Sequence, residues 1–299
     1  EGQRALEGIE QELGKVEAWL QAEFRGGPRE LAPLLAHAAQ FQGKRVRAAQ
    51  VLLVGRACGQ LTQEHHLIAG IIELIHAATL AHDDVLDEAV QRRGLDCLHV
   101  AWGNPAAVLL GDWLYARAFA HCTALADRTP SRVLAEATAR ICAGEIHQNL
   151  TRGRFDLSES EYFSQIDGKT AALFEAAGRL AAHAAGASSE SVEAAARHGM
   201  LAGRAFQIAD DLLDLEGELA ITGKSLGTDW ESGKMTLPLI RMRDTAAPAL
   251  RKQLEKAFHE RSPRACLRQE PLHAAFTHAT KLCRQEVKRL LEAAGTEAA

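Results

Sequence analysis

One acidic pattern occurs twice in this chain, each time inside apolar, helix-forming sequence. The first copy is Leu80-Ala81-His82-Asp83-Asp84-Val85-Leu86-Asp87-Glu88; the second is Gln207-Ile208-Ala209-Asp210-Asp211-Leu212-Leu213-Asp214. On a helix, residues three and four apart share a face. Asp83 and Asp87 therefore project together with Asp84 beside them, and Asp210, Asp214 and Asp211 repeat the arrangement. Like charges at this spacing cost a few tenths of a kcal/mol per pair. A solvated acidic patch is the plainer reading of a single copy. Two copies, both embedded in oily sequence, favour a divalent cation, and hard carboxylate oxygens suit Mg²⁺, which bridges readily to phosphate.

The position of the first copy sharpens this reading. Apolar periodicity predicts one long buried helix over 62–88, with Thr62 as its N-cap. Acids in its last turns face the partial negative charge of the helix C-terminus, a placement that makes sense with a cation over them.

The rest of the chain reads as helix. Of its 299 residues 47% are hydrophobic and only 5% aromatic, and no alternating strand pattern or interdomain linker is visible. The expected architecture is all-α: a single domain over 1–299, a helical bundle around a central apolar cavity, in which the duplicated motif suggests two facing helices. A further helix is expected from a Ser158 cap through Ala185, carrying Gly168-Lys169-Thr170 at its middle. Ser188 or Ser189 is expected to cap the helix of the second motif, residues 217–235 to form a surface loop, and three shorter helices to finish the chain. The net charge of −5, without a basic block, argues against nucleic acid. Six cysteines with no C-x-x-C spacing read as reduced thiols. No apolar run reaches membrane-spanning length and no signal peptide is recognised; it is the reduced thiols that make the cytoplasm the expected location.

Cations are placed locally. Lys44, Arg45 and Arg47 cluster at a helix start, where backbone N–H groups also favour anions. Arg92 and Arg93 follow the first acidic motif, and Lys169, Lys224 and Lys234 lie in polar or glycine-flanked settings. Each alone is more often a solvated surface residue; together with two carboxylate triads they fit anionic phosphates. His76 lies two turns before Asp83 on the same side of its helix, and its company favours a polar ligand contact over a hydrogen-bonded core histidine. A charged mouth above apolar helices describes a prenyl diphosphate site.

Taken together, Gly43-Lys44-Arg45-Val46-Arg47, His82 to Asp87, Arg92-Arg93-Gly94, Lys169-Thr170, Phe206 to Asp214, Gly227-Thr228-Asp229 and Gly233 to Pro238 resemble the trans-polyprenyl diphosphate synthase family. The resemblance covers roughly Gly43 to Ile240. It implies the isoprenoid synthase fold, usually as a homodimer, and a Mg²⁺-dependent prenyltransferase with about three ions per site. The reaction it implies joins isopentenyl diphosphate head to tail to an allylic diphosphate. By motif, Lys44, Arg47, His76 and Arg93 would hold isopentenyl diphosphate. Arg92, Lys169, Thr170, Gln207, Lys224 and Lys234 would hold the allylic substrate. Asp83, Asp87 and Asp210 would be the main Mg²⁺ ligands, with Asp84, Asp211 and Asp214 supporting directly or through water. Asp83, Asp84, Asp87, Asp210, Asp211, Lys169 and Lys234 would carry the catalytic electrostatics. Gln42 and Ala48 depart from a common glycine and proline, and the cations between them remain.

The family's length control implies that product grows along the helix ending at Asp83. Ala78 and Thr79 are small where an aromatic ring would close the pocket, and Ile75 and Ile72 lie deeper. A product longer than farnesyl, in the geranylgeranyl to octaprenyl range, is expected. A terpene-cyclase-type lyase would not need Lys44, Arg47 and Arg93, and a non-catalytic partner subunit of a two-chain synthase would be expected to lose carboxylates that are intact here.

Overall fold

The computed structural model describes residues 8–41, 43–92, 94–216, 227–261, 267 and 270–298. Gln42, Arg93 and Lys224, all named above, lie outside the described residues. The described residues are helical almost throughout, as expected. No helix among the described residues is long and apolar enough to cross a membrane. Contacts group the residues into two compact units, Glu1–Thr138 with Leu173–Gly199, and Ala139–Ala172 with Met200–Ala299. The divisions fall within helices.

The first unit contains α1 (Glu10–Arg25), a 3₁₀ turn, α2 (Ala32–Ala38), α3 (Val46–Cys58) and α4 (Gln63–Leu86). A short hairpin, α5 (Leu98–Trp102) and α6 (Asn104–Ala124) follow. The α4 helix is the axis of this unit and packs on α1, α3 and α6. Ile68, Ile71, Ile72, Leu74 and Ile75 are all fully buried, so most of the α4 surface is apolar, as suits a core helix, with Glu73, His76 and Asp83 along one side. Its start matches expectation: Thr62 caps it, and the Thr62 N–H donates to His65 Nδ1 at 3.1 Å. Its end comes two residues earlier than expected. Leu86 is the last helical residue, Asp87 is the C-cap, and Glu88 turns into the left-handed region at φ 52°. No basic residue lies in the last turn.

Sequence periodicity missed the hairpin because its strands are two residues each. Gln91–Arg92 pairs antiparallel with Leu95–Asp96, in register Gln91 to Asp96 and Arg92 to Leu95. Gly94 takes φ 78° in the turn, a backbone conformation that glycine reaches without strain.

In the chain order, α7 (Thr129–Leu150) and α8 (Glu159–Ile166) come next. The expected uninterrupted helix from Ser158 to Ala185 is corrected here. It begins as predicted, with the Ser158 hydroxyl accepting from the Glu161 N–H. A π turn at Asp167–Ala171 then separates α8 from α9 (Ala172–Ala184). Such bulges widen a helix locally and recur at functional sites. The α10 helix (Ser189–Glu216) is capped by Ser188, whose hydroxyl accepts from the Ser191 N–H.

The expected 217–235 loop is corrected in its second half. Thr228–Glu231 is a short helix, α11, and its Trp230 is fully buried with Nε1–H donating to Ala257 O at 3.3 Å. The chain ends with α12 (Leu237–Thr245), α13 (Pro248–His259) and α14 (Leu272–Ala298). The last is long rather than short. Trp230, Phe155, Phe258, Leu237, Ile240 and Cys283 belong to the core of the second unit.

Candidate active site

In the first unit, the acidic motif resolves into aspartates with different environments. Asp83 and Asp87 are half-buried, whereas Asp84 is only 2% exposed. Arg92, brought back by the hairpin, forks onto Asp84: Nε donates at 3.0 and 3.1 Å and Nη2 at 2.6 Å. The contact is bidentate and charge-assisted. The sequence reading gave Arg92 to the allylic substrate and Asp84 to metal; here the two are also joined to each other. Cys97 sits beside this pair, its thiol pushed up to about 12 by burial and by the charge of Asp84.

His82 is held against α6 at Gly111. A Cβ on Gly111 would lie 2.2 Å from His82 Nε2, and that nitrogen lies 3.0 Å from Val108 O. The glycine lets α6 approach the turn that carries Asp83, a role the bare sequence did not reveal.

The basic cluster at α3 also divides. Lys44 is exposed and Arg47 is buried, with its guanidinium 4.6 Å from the centre of the Phe174 ring. Burial pulls the Arg47 pKa down to about 10 against the opposing pull of Glu73. Arg45, read from sequence as part of the cationic cluster, is instead tied to protein. It donates from Nε to Glu17 at 2.9 Å and from Nη1 to Glu73 at 3.3 Å. His76 is half-buried on the α4 face that also carries Thr79 and Asp83. The Thr79 hydroxyl donates to His76 O at 2.8 Å. Ala78, Ile75 and Ile72 have no exposed surface, whereas Thr79 is half-buried.

In the second unit the same division recurs. Asp210 is half-buried and Asp211 is 3% exposed. Tyr162 OH donates to Asp211 Oδ2 at 2.5 Å, and Gln207 Nε2 donates to Asp211 Oδ1 at 2.9 Å. Thr170, on the π turn, donates to Gln207 Oε1 at 2.5 Å. Thr170 and Gln207, both expected to meet substrate, are thus hydrogen-bonded in a chain to Asp211. Asp214 reaches the start of α11, accepting from the Thr228 hydroxyl at 2.9 Å and from the Asp229 N–H at 3.2 Å. Burial, and then the charge of Asp229, raise the carboxyls of Asp211 and Asp214 above the ordinary range.

The π turn aims Lys169. Its ammonium lies 2.9 Å from Gln148 Oε1 and 2.6 Å from Glu145 Oε2, both on α7 and neither singled out by sequence reasoning. Lys234, almost buried, lies 3.5 Å from Asp229 Oδ1. Phe206 and Leu213 leave apolar surface exposed on α10 on either side of Asp210, as Leu86 and Val90 do near Asp87. Carboxylates rimmed by apolar side chains suit a ligand with a charged head and an oily tail.

A separate open cleft of about 920 Å³ lies along α7 and the π turn, with Arg204, Glu286 and Arg289 among its lining residues. Two ion pairs lie in it: Arg204 forks Asp167 at 2.6 and 2.7 Å, and Arg289 holds Glu286 at 2.5 Å. None of the motif aspartates lines it.

Among the described residues no three or more Asp, Glu, His or Cys side chains form a ready metal cage.

The polyprenyl synthetase family pattern matches residues 28–270. The chain belongs to the polyprenyl synthetase family. Octaprenyl diphosphate synthase of Escherichia coli K12 is 35% identical over 266 residues, covering 89% of this chain and 82% of that protein. Among solved structures, a decaprenyl diphosphate synthase from Rhodobacter capsulatus superposes with a TM-score of 0.86 at 32% identity, covering 99% of this chain and 92% of that one. A polyprenyl synthase from Caulobacter crescentus CB15, complexed with calcium and isoprenyl diphosphate, gives 0.83 at 31% identity, covering 99% and 89%. The all-α fold is thus the isoprenyl diphosphate synthase fold, and the protein is a prenyltransferase.

Proposed function

We propose that the protein condenses isopentenyl diphosphate with an allylic prenyl diphosphate, head to tail and in the trans sense, to give a polyprenyl diphosphate longer than farnesyl, in the geranylgeranyl to octaprenyl range. The observation that carries this reading is the shared design of the two acidic motifs. In each, the second aspartate is locked from behind by protein donors, which fixes the orientation of its neighbours.

Asp83, Asp87 and Asp210 are the proposed main ligands of Mg²⁺, and the all-oxygen donor set suits that ion. Bound there, Mg²⁺ would neutralise charge on a diphosphate. The relative complexed with calcium and isoprenyl diphosphate supports a divalent cation in this role. Lys44, Arg47, His76 and Arg93 hold isopentenyl diphosphate in this reading. Lys169, Lys224 and Lys234 hold the allylic diphosphate, and Arg92, Thr170 and Gln207 act there through Asp84 and Asp211.

The allylic C–O bond breaks as charge grows on the departing diphosphate, where Lys169 and Lys234 stabilise it. The isopentenyl double bond attacks the allylic cation, and a proton lost to the released diphosphate restores the alkene. Apolar side chains keep water from the cation. No protein nucleophile is required. The exposed apolar side chains Val100, Trp102, Val108 and Leu109 on α5 and α6 support a homodimer.

The test is incubation with isopentenyl diphosphate, an allylic primer and Mg²⁺, followed by sizing of the product. Long-chain diphosphate should form and should vanish on chelation. Hydrocarbon released from the allylic substrate alone would favour a terpene-cyclase-type lyase, and no product without a second chain would favour a partner subunit.

A further inference from the structure

Glu73 is a buried carboxylate that the sequence left unassigned. It lies on α4, three residues before His76 and hence on the same side of the helix. Its side chain is 3% exposed. One oxygen accepts the Ala48 N–H at 3.1 Å, and the other faces Arg45 Nη1 at 3.3 Å. Ala48 is the third residue of α3, so its N–H is one of the amide donors that a helix start leaves without an intrahelical acceptor. Normally the cap residue's own side chain serves them. Here the cap is Arg45, held in the left-handed region at φ 50°, and it makes no side-chain cap bond. Glu73 supplies that cap from the neighbouring helix.

A neutral cap would satisfy α3 equally well, and a buried carboxylate is costly to desolvate. What the charge adds is a counterweight. Lys44, Arg45 and Arg47 put three cations within four residues. Glu73 opposes Arg45 directly and Arg47 through space, while Glu17 on α1 takes the other edge of Arg45. The turn is thereby strapped between α1 and α4.

We infer that Glu73 is a positioning residue for the isopentenyl diphosphate station, holding the Gly43–Arg47 turn in the conformation that presents Lys44 and Arg47. This rests on the proposed function, which gives those two cations to that substrate.

The test is steady-state kinetics of Glu73→Gln in the full chain, beside Arg47→Ala as a reference and with thermal unfolding of each. Glutamine keeps an oxygen for the Ala48 N–H but puts an NH2, which cannot accept from Arg45 Nη1, in place of the other, so the cap survives while the charge and the Arg45 contact are lost. KM for isopentenyl diphosphate should rise about ten- to a hundredfold, as expected for a displaced binding group. KM for the allylic substrate and the unfolding temperature should stay near wild type. Arg45→Ala, which leaves the Glu73–Ala48 bond intact, should show the same selective rise and serves if the glutamine variant does not fold. If Arg47→Ala raises that KM and neither other variant does, the inference is wrong and the station stands. If Arg47→Ala leaves it unchanged, the station itself is wrong and the inference falls with it. An equal rise in both KM values for the Glu73 and Arg45 variants would reduce Glu73 to a purely structural cap and overturn the inference.

Discussion

Gly144 and Lys169 meet backbone to backbone: a Cβ on Gly144 would lie 2.5 Å from the Lys169 nitrogen. The same contact is tight from the other side, where a Cβ on Gly168 would lie 2.7 Å from Arg140 O. The π turn can therefore lie directly on α7, where Glu145 and Gln148 receive the lysine ammonium.

Gly144→Ala should push the turn off α7. Overpacking of this kind costs about 1–3 kcal/mol, and the displaced ammonium should lower kcat more than the stability loss explains. Thermal unfolding and kcat measured on the same preparation check both parts. A variant with wild-type kcat would mean that Lys169 does not depend on the contact.

Asp83 and Asp84 are neighbours in sequence with opposite expected phenotypes. Asp84→Ala removes the partner of a largely buried guanidinium, a change that costs about 3–5 kcal/mol. Asp83→Ala leaves that pair intact, so it should abolish turnover while unfolding near the wild-type temperature. Denaturant melts of the two variants distinguish them.

Thr79→Phe should shorten the product. Ala78→Phe, offered by the sequence as an equivalent change, should chiefly destabilise, because Ala78 is completely enclosed and a ring there must displace packed neighbours. Product sizing by chromatography, with a melt of each variant, tests the pair. An unchanged product from Thr79→Phe would remove Thr79 from the chain-length wall.

The second acidic motif predicts a pH dependence for the metal-free protein. Burial first, and the Asp229 charge second, push Asp211 up to about 8 and Asp214 up to about 6 from the ordinary 3.8. Between those limits the native state holds protons that the unfolded chain has released. The contribution of these groups to stability is therefore fully present below about pH 4 and is lost as pH rises through about 6 and 8. Relative to Asp211→Asn, which cannot ionise there, the metal-free wild type should lose stability over this window. Mg²⁺ should bind more tightly, and stabilise more, toward its alkaline end, since its ligands must be ionised. Melts across pH, with and without Mg²⁺, provide the measurement.

Much was legible in the sequence because it is written in short-range patterns. The apolar run before Asp83 can only be a buried helix. Spacing alone sets Asp83 with Asp87 on one side of it, Thr62 marks its start, and Ser158 marks the start of α8. The paired acidic motifs with their cations carried the family, since each is contiguous. Tertiary structure decided which charged groups serve the fold. Asp84 and Asp87 look alike in the sequence, yet a hairpin too short for any periodicity returns Arg92 onto Asp84. Lys44 and Arg45 are adjacent, yet Glu17 and Glu73, from two distant helices, take Arg45. A motif records what a residue is and which helix face it occupies. Whether its charge is already met depends on a partner far along the chain, and only folding brings that partner into reach.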